Sequence, residues 1–563
     1  MFSIARLVTR NSVSVVGLLL VLTFFSTNSI AQSLYMPQGD PHQHFLERLE
    51  IMLQKNPELN IASARNISRH NAVFIAGMED SSSGNPTISL TKVDQANLQS
   101  LLRNNAEWVT RLNDKKGAFY RNPANMIEVN RPNFFLAVNP MLHAEYSKEA
   151  DYDEQVYHYA AGLGMRTMIG NKVGLYASAV RHTERVPSFV MERYNEYNSL
   201  PGAGKVDRFG NNGFNYWDVR GGFTFKALKY FDFTLAYDRN FIGNGYRSLF
   251  LSDFAKNYVY GKAVTRIWKF RYTHIYAPMI PQFEGERQSD LPVGRRMTAI
   301  HHLSFNATKW LNLALFQSVS ITNRKDWMYM MPVMFYPTSQ IRNTKPANNL
   351  GGFEFKANIA KKHQVYGQLL IDNLSLKEFA KGSGWWNNRY GIQLGAKTIN
   401  LFGIKNLDLQ VEMNAVRPYT YAGDEDTLGS YSHYNQPLAH PLSASFAEII
   451  TNVTFQPLAS LKIQATLHWV EYGTDTTTMN FGGNILKDTY SRPANFGYTL
   501  ITGPDNGRLW ASLNSEMKLY NNLNLFATYL VRNTFKRKNQ KSTIANLVSI
   551  GFAINLSRLH TSY

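Results

Sequence analysis

The chain has 563 residues, a formal net charge of +18 and no cysteine. Without cysteine there is neither a disulfide framework nor a lipoprotein anchor, and without a compact basic motif the charge is not that of a nucleic-acid reader. The positive balance suits contact with an anionic polymer or lipopolysaccharide, or else reflects lumen and loop residues that bind no specific ligand.

At the N-terminus, Arg6 and Arg10 precede an apolar run from Val13 to Phe25, and Ser29-Ile30-Ala31 supplies small residues at a cleavage position. This order predicts a signal peptide over residues 1–31. The apolar run falls short of the roughly 20 residues a transmembrane helix needs.

Residues 32–130 are expected to form a small, partly helical domain that faces the periplasm or acts as a plug. Phe45, Leu46, Leu49, Met52 and Leu53 fall at helical spacing. A second helix is predicted from about Thr91 to Leu112, with the stripe Leu98, Leu101, Leu102, Trp108, Val109 and Leu112 and a capping-box-like start at Thr91-Lys92-Val93-Asp94. His42-Gln43-His44 lacks a third metal ligand and reads as surface.

From about Asn133 the hydrophobic period falls to two, and residues 131–563 are assigned to a β-barrel. The clearest ribbons are Phe231 to Tyr237, Leu407 to Met413 and Leu461 to Trp469, each alternating apolar with polar residues. A soluble sandwich alternates too. These ribbons, however, approach the roughly 9–11 residues of a tilted membrane strand, and their polar side carries charge at Asp408, Glu412 and Lys462, which suits a wet lumen. Tight connections at 227–233, 308–313, 458–463 and 519–525 read as periplasmic hairpins. Long ones at about 186–212, 276–294, 321–347, 417–440 and 473–504 read as extracellular loops. The last ribbon places Val548, Ile550, Phe552, Ile554 and Leu556 on one side. Some 17 ribbons can be marked, and barrels of this class have an even strand number, so about 18 strands are expected. The fold class is therefore all-β: a transmembrane antiparallel barrel with a small helical N-terminal part, located in a Gram-negative outer membrane. Aromatic residues make up 13% of the chain, as interfacial girdles require.

Two stretches are more than ribbon. Leu235 to Asp253 contains Gly243 and Gly245 among Asp238, Arg239, Asn240, Asn244, Tyr246, Arg247 and Asp253. Paired glycines permit close backbone approach, and arginine forks with aromatic rings suit sugar carboxylates and pyranose faces. The second stretch, Ser432 to Leu442, holds His433, Tyr434, Asn435, Gln436 and His440 on a proline-stiffened loop. All these residues are candidate glycan contacts. The competing reading of both stretches is a hydrogen-bonded loop folded into the lumen. Asp424-Glu425-Asp426 matches no calcium-loop spacing, and no Gly-x-Ser-x-Gly or His-Glu-x-x-His occurs, so neither a cofactor nor a catalytic set is assigned.

With Met331-Pro332-Val333-Met334-Phe335-Tyr336-Pro337 and Asn105-Ala106-Glu107-Trp108, the two stretches resemble the capsule-assembly Wzi family, especially its longer gliding-motility RemB-like members, over most of the mature chain. The resemblance implies a barrel of about 18 strands, a helical part beneath it and a mouth occluded by loops. It further implies a surface lectin that organises capsular polysaccharide, with a possible tie to gliding. Expected partners are outer-membrane lipid and lipopolysaccharide, surface polysaccharide and other envelope proteins. The rival readings are a porin, a structural partner in a motility or secretion complex, and an enzyme.

Overall fold

The computed structural model describes residues 34–54, 67–77, 89–109, 119–170, 172–227, 230–282, 295–321, 334, 348–423, 429–536 and 541–556. The expected signal peptide, Asp424-Glu425-Asp426, and all of Met331 to Pro337 except Met334 lie outside them.

Eighteen long strands form a closed antiparallel barrel. In chain order they are β1 (Phe134–Glu149), β2 (Val156–Ile169), β3 (Val173–Arg185), β4 (Gly213–Ala227), β5 (Phe231–Asp238), β6 (Tyr258–Ile267), β7 (Phe270–Met279), β8 (Arg296–Asn306), β9 (Leu311–Ile321), β10 (Asn348–Ile359), β11 (His363–Asn373), β12 (Arg389–Thr398), β13 (Leu407–Val416), β14 (Phe446–Leu458), β15 (Leu461–Gly473), β16 (Asp505–Tyr520), β17 (Leu523–Lys536) and β18 (Lys541–Ile554). Each pairs with the next, and β18 closes on β1 from Leu142↔Ile554 to Glu149↔Leu547. Below that seam the short strand Ile127–Arg131 continues the pairing along the first residues of β1, so the sheet begins slightly before the expected boundary at residue 131. Closure leaves no exposed edge, the condition for strands in hydrocarbon.

The alternation resolves as apolar-out, polar-in. On β18, Val548, Ile550 and Phe552 are exposed while Ser549 is buried, its hydroxyl 2.7 Å from that of Ser147 on β1. On β13, Val411 and Met413 face out and Asp408, Glu412 and Asn414 are buried inward. On β15, Leu467 and Trp469 face out and Thr466 and His468 face in. A sandwich core would show the opposite polarity.

The turns β2–β3, β4–β5, β6–β7, β8–β9, β10–β11, β12–β13, β14–β15 and β16–β17 lie at one end. Exposed rings mark it: Tyr230, Trp268, Trp310, Phe402 and Tyr520 stand at the β4–β5, β6–β7, β8–β9, β12–β13 and β16–β17 turns. This is the aromatic girdle expected at a membrane interface. The four hairpins read from the sequence are all here. The long connections start and finish at the other end; 239–257 is the loop offered as the competing reading of the first motif, and 374–388 was not anticipated.

Among the described residues, three N-terminal helices sit at the short-turn end: α1 (Gln43–Leu53), α2 (Arg69–Gly77) and α3 (Lys92–Asn104). The stripe read for α1 is the buried one: Phe45, Leu46, Leu49 and Met52 join Leu101 of α3 and Ile399 of the barrel in one apolar cluster. At α3 the Thr91–Asp94 capping box forms in both directions. The helix stops at Asn104, well before Leu112. Asn105 leaves helical geometry at φ −124°, its side-chain amide donates to the Leu101 carbonyl at 2.7 Å, and a single 3₁₀ turn follows over Ala106–Trp108. The side-chain competition typical of asparagine overrides the apolar stripe. α2 was missed because its pattern is weak.

Ion pairs bind α1 to the inner wall. The Arg48 guanidinium pairs with Asp408 of β13 and with Asp94, Glu47 with Lys397 of β12 at 2.8 Å, and Glu50 with Lys356 of β10. Burial pulls Arg48 toward the neutral form, but the two carboxylates outweigh it and hold its pKa above the ordinary value. His42 bonds Asp40 and Ser100, and His44 bonds Asp408, so the two imidazoles are structural; no metal-binding cluster occurs among the described residues.

If the Val548 row faces hydrocarbon, Val548→Arg should destabilise the barrel by about 2–4 kcal/mol, read from urea unfolding in lipid vesicles. The same charge in a detergent-free soluble fold would cost little at so exposed a position.

Candidate functional site: a plug gripped by the inner wall

After β5 the chain turns into the lumen, and the motif around Gly243 and Gly245 is the plug. Five strands meet it with one row of inward side chains in register: Glu354 on β10, Gln368 on β11, Gln393 on β12, Asn414 on β13 and Glu448 on β14. Two residues below Asn414 stands Glu412. These groups grip mostly the plug's main chain. Glu412 accepts the Tyr246 N–H at 2.6 Å and the Arg247 N–H at 3.0 Å. It also accepts the Tyr366 hydroxyl at 2.8 Å and the Asn414 amide at 2.9 Å. Gln368 accepts the Leu249 N–H at 2.8 Å, Gln393 donates to the Arg247 carbonyl at 3.1 Å, and the Asn244 amide donates to Glu354. Backbone groups removed from water thereby find partners, as burial demands.

The glycines allow this closeness. A Cβ at Gly245 would lie 2.3 Å from a Glu412 carboxylate oxygen and 2.7 Å from the Arg247 carbonyl. Gly243 has φ +149°, where L-residues are strained. Leu249, Phe250 and Leu251 then pack into the largest apolar cluster, where the Phe250 and Phe316 rings stack at 4.4 Å.

The second motif packs on the first. Ser432–His433 and Gln436–Pro437 form a two-residue hairpin with Tyr434 and Asn435 at φ 51° and 59°, the mirror-image turn that hairpins favour. The Ser252 N–H donates to the Leu438 carbonyl at 2.7 Å, and the Tyr421 hydroxyl to the Leu249 carbonyl at 2.8 Å. His440 Nε2 lies 2.8 Å from Glu448, whose other oxygen is 3.2 Å from His468.

The candidate glycan residues are therefore engaged within the protein. Tyr176 donates to Asp238 at 2.8 Å. Arg239 donates to Asn257, to the Asp253 carbonyl and to the Gly202 carbonyl. Asn240 accepts from Lys262, Asn435 donates to the Tyr197 carbonyl at the end of helix α4 (Ser188–Tyr197), and Gln436 donates to the Leu200 carbonyl. Arg239, Asn240, Asn244, Arg247, His433, Asn435, Gln436 and His440 are buried. Asp238, Tyr246, Asp253 and Tyr434 are half-buried, with the Lys256 ammonium 4.6 Å above the Tyr434 ring. Reading the sequence missed the gripping row, although its signal was present: charged and amide residues at the inward phase of successive ribbons, taken there as lining water. The fourth motif, Asn105-Ala106-Glu107-Trp108, ties the helices to the barrel through Arg69 to Asn105 at 2.8 Å and Arg166 of β2 to Glu107 at 3.3 Å.

At the lower end, a pocket of about 30 Å³ bounded by His44, Glu47, Arg48, Lys397 and Asp408 admits water but no sugar ring.

No protein-family profile and no curated protein matches the sequence. Among solved structures, the chain is similar to Wzi, described as an outer membrane protein involved in group 1 capsule assembly in Escherichia coli and a carbohydrate-binding β-barrel. The superposition covers 94% of this chain and 100% of that one, with a TM-score of 0.55 and 11% identity. The chain has the Wzi fold. A weaker similarity, TM-score 0.42 at 10% identity, covers 76% of the chain and 96% of Pseudomonas aeruginosa OprD.

The plug's attachment is testable. Gly245→Val should unseat it, and Glu412→Ala should strand two N–H groups and a hydroxyl at a cost of about 1–3 kcal/mol; both should show as a lowered melting temperature together with new conductance in planar bilayers. The hairpin should also be acid-sensitive. His433 accepts the Ile280 N–H on Nδ1 at 3.1 Å, and burial, helped by Lys256 and Arg296, pushes its imidazole down to about 3. An unfolded histidine takes its proton near pH 6.5. The stabilisation is therefore complete above that pH and drains away as the pH falls toward 3. Thermal melts of His433→Asn should show a shallower decline over this window.

Proposed function

We propose that the chain is a non-enzymatic outer-membrane protein that holds surface polysaccharide at its long-loop end, with the helical part facing the periplasm. One observation carries the reading. The lumen is occupied by a plug held by side chains of five successive strands, three of which bond its backbone, an arrangement suited to anchoring rather than conduction. The binding of carbohydrate stated for Wzi, whose fold the chain shares, supports the ligand class, and the net charge of +18 favours an acidic polymer. In this reading the motif residues act mainly by fixing the loops, and Asp253, Tyr246 and Tyr434, which are half-buried, are those that reach a ligand. Attachment of capsule, with support of gliding in a host that glides, is the finer form of the proposal.

The test pairs two measurements on purified protein. It should be retained on the host's capsular or other surface polysaccharide, and it should be nearly silent in planar bilayers. Retention on no surface glycan would end the reading; open-channel conductance by the unmodified protein would favour the porin instead.

A further inference from the structure

The unanticipated connection between β11 and β12 carries a short helix, α5 (Leu376–Ala380), none of whose residues is buried. Leu376 is 74% exposed and Phe379 54% exposed. Phe379 meets Tyr390 edge-on, with ring centroids 6.2 Å apart. Arg389 of β12 is buried inward, so its neighbour Tyr390 faces out, on the same face as Ile392 and Leu394. The helix therefore lies against the upper edge of the apolar belt. The same turn carries Lys377 and Lys381, both exposed, the latter 2.8 Å from Glu378.

The segment is held in place. The Ser375 hydroxyl accepts the Glu378 N–H at 3.4 Å, and the Ser375 N–H donates to Asn388 at 2.8 Å. Farther along, Trp386 donates to the Asn495 carbonyl at 3.0 Å, and the Arg492 guanidinium stands 4.3 Å from its ring. The exposed leucine and phenylalanine are thus not frayed ends. A water-facing surface gains nothing from presenting both. Apolar side chains flanked by lysines suit the boundary where acyl chains meet anionic head groups.

We propose that α5 is a lipid-seating foot. Leu376 and Phe379 enter the acyl boundary of the outer leaflet, and Lys377 and Lys381 stand among head-group phosphates. The inference rests on the reading that the barrel spans a membrane.

The absence of native cysteine makes the test clean. Ala380→Cys on the foot and, separately, Val548→Cys on the belt are labelled with an environment-sensitive fluorophore. Each protein is reconstituted in phosphatidylcholine vesicles with and without phosphatidylglycerol. The label at 380 should be quenched by a shallow doxyl lipid and shielded from aqueous iodide, more so with phosphatidylglycerol. Adding Lys377→Glu and Lys381→Glu should reduce that preference about fivefold per lysine, and Leu376→Ser with Phe379→Ser should restore iodide access. If the label at 548 is quenched while that at 380 stays open to iodide, the foot is overturned and the spanning barrel stands. If neither is quenched, both fall. If soluble polysaccharide, or more protein per vesicle, shields position 380 in place of lipid, the helix belongs to a glycan or a second copy, and the lipid assignment is overturned.

Discussion

The structure depends on a ring of hydrogen bonds closed between β18 and β1. In hydrocarbon an unpaired backbone group costs several kcal/mol. A closed sheet satisfies the wall completely, and it fixes a second property. Since side chains alternate, one face must meet lipid and the other must be enclosed. Val548, Ile550 and Phe552 go one way and Ser549 the other, so the enclosed face inherits the polar half of every ribbon.

An enclosed polar face this wide can hold water or hold protein. Here it holds protein at both ends. At the short-turn end, α1 places Glu47, Arg48 and Glu50 against Lys397, Asp408 and Lys356. Toward the other end, Glu412 and the row Glu354, Gln368, Gln393, Asn414 and Glu448 meet a segment that brings mostly backbone amides. The two solutions differ in kind. The helices have satisfied backbones and so bring charged side chains. The plug is irregular, and the wall supplies the hydrogen bonds its backbone lacks. This explains why Gly245 must be glycine: the carboxylate approaches where a side chain would stand.

The plug also organises what lies above it. Ser252 and Leu249 join it to the 417–445 connection, and Asn435 and Gln436 join that connection to the 186–212 connection. Three long connections therefore form one packed body over the mouth. Residues that read as sugar ligands because they are polar, glycine-flanked and aromatic-rich share those traits with residues that pack irregular chain. Composition does not separate the two; the partners do.

The sequence by itself determined the architecture. Period-two ribbons, alternating short and long connections, the capping box at Thr91 and the apolar stripe of α1 are local signals, and a strand's period or a helix cap is set by its immediate neighbours. Local signals also overreach, as at α3, where the stripe continues past Asn105 and the helix does not. Only the tertiary structure decided what the inward residues face. Glu412 stands some 165 residues from Arg247 in the chain, and no periodicity relates a carboxylate on one strand to an amide on a distant loop. Burial of those amides selected the pairing, because each had to find an acceptor once the wall had closed around it.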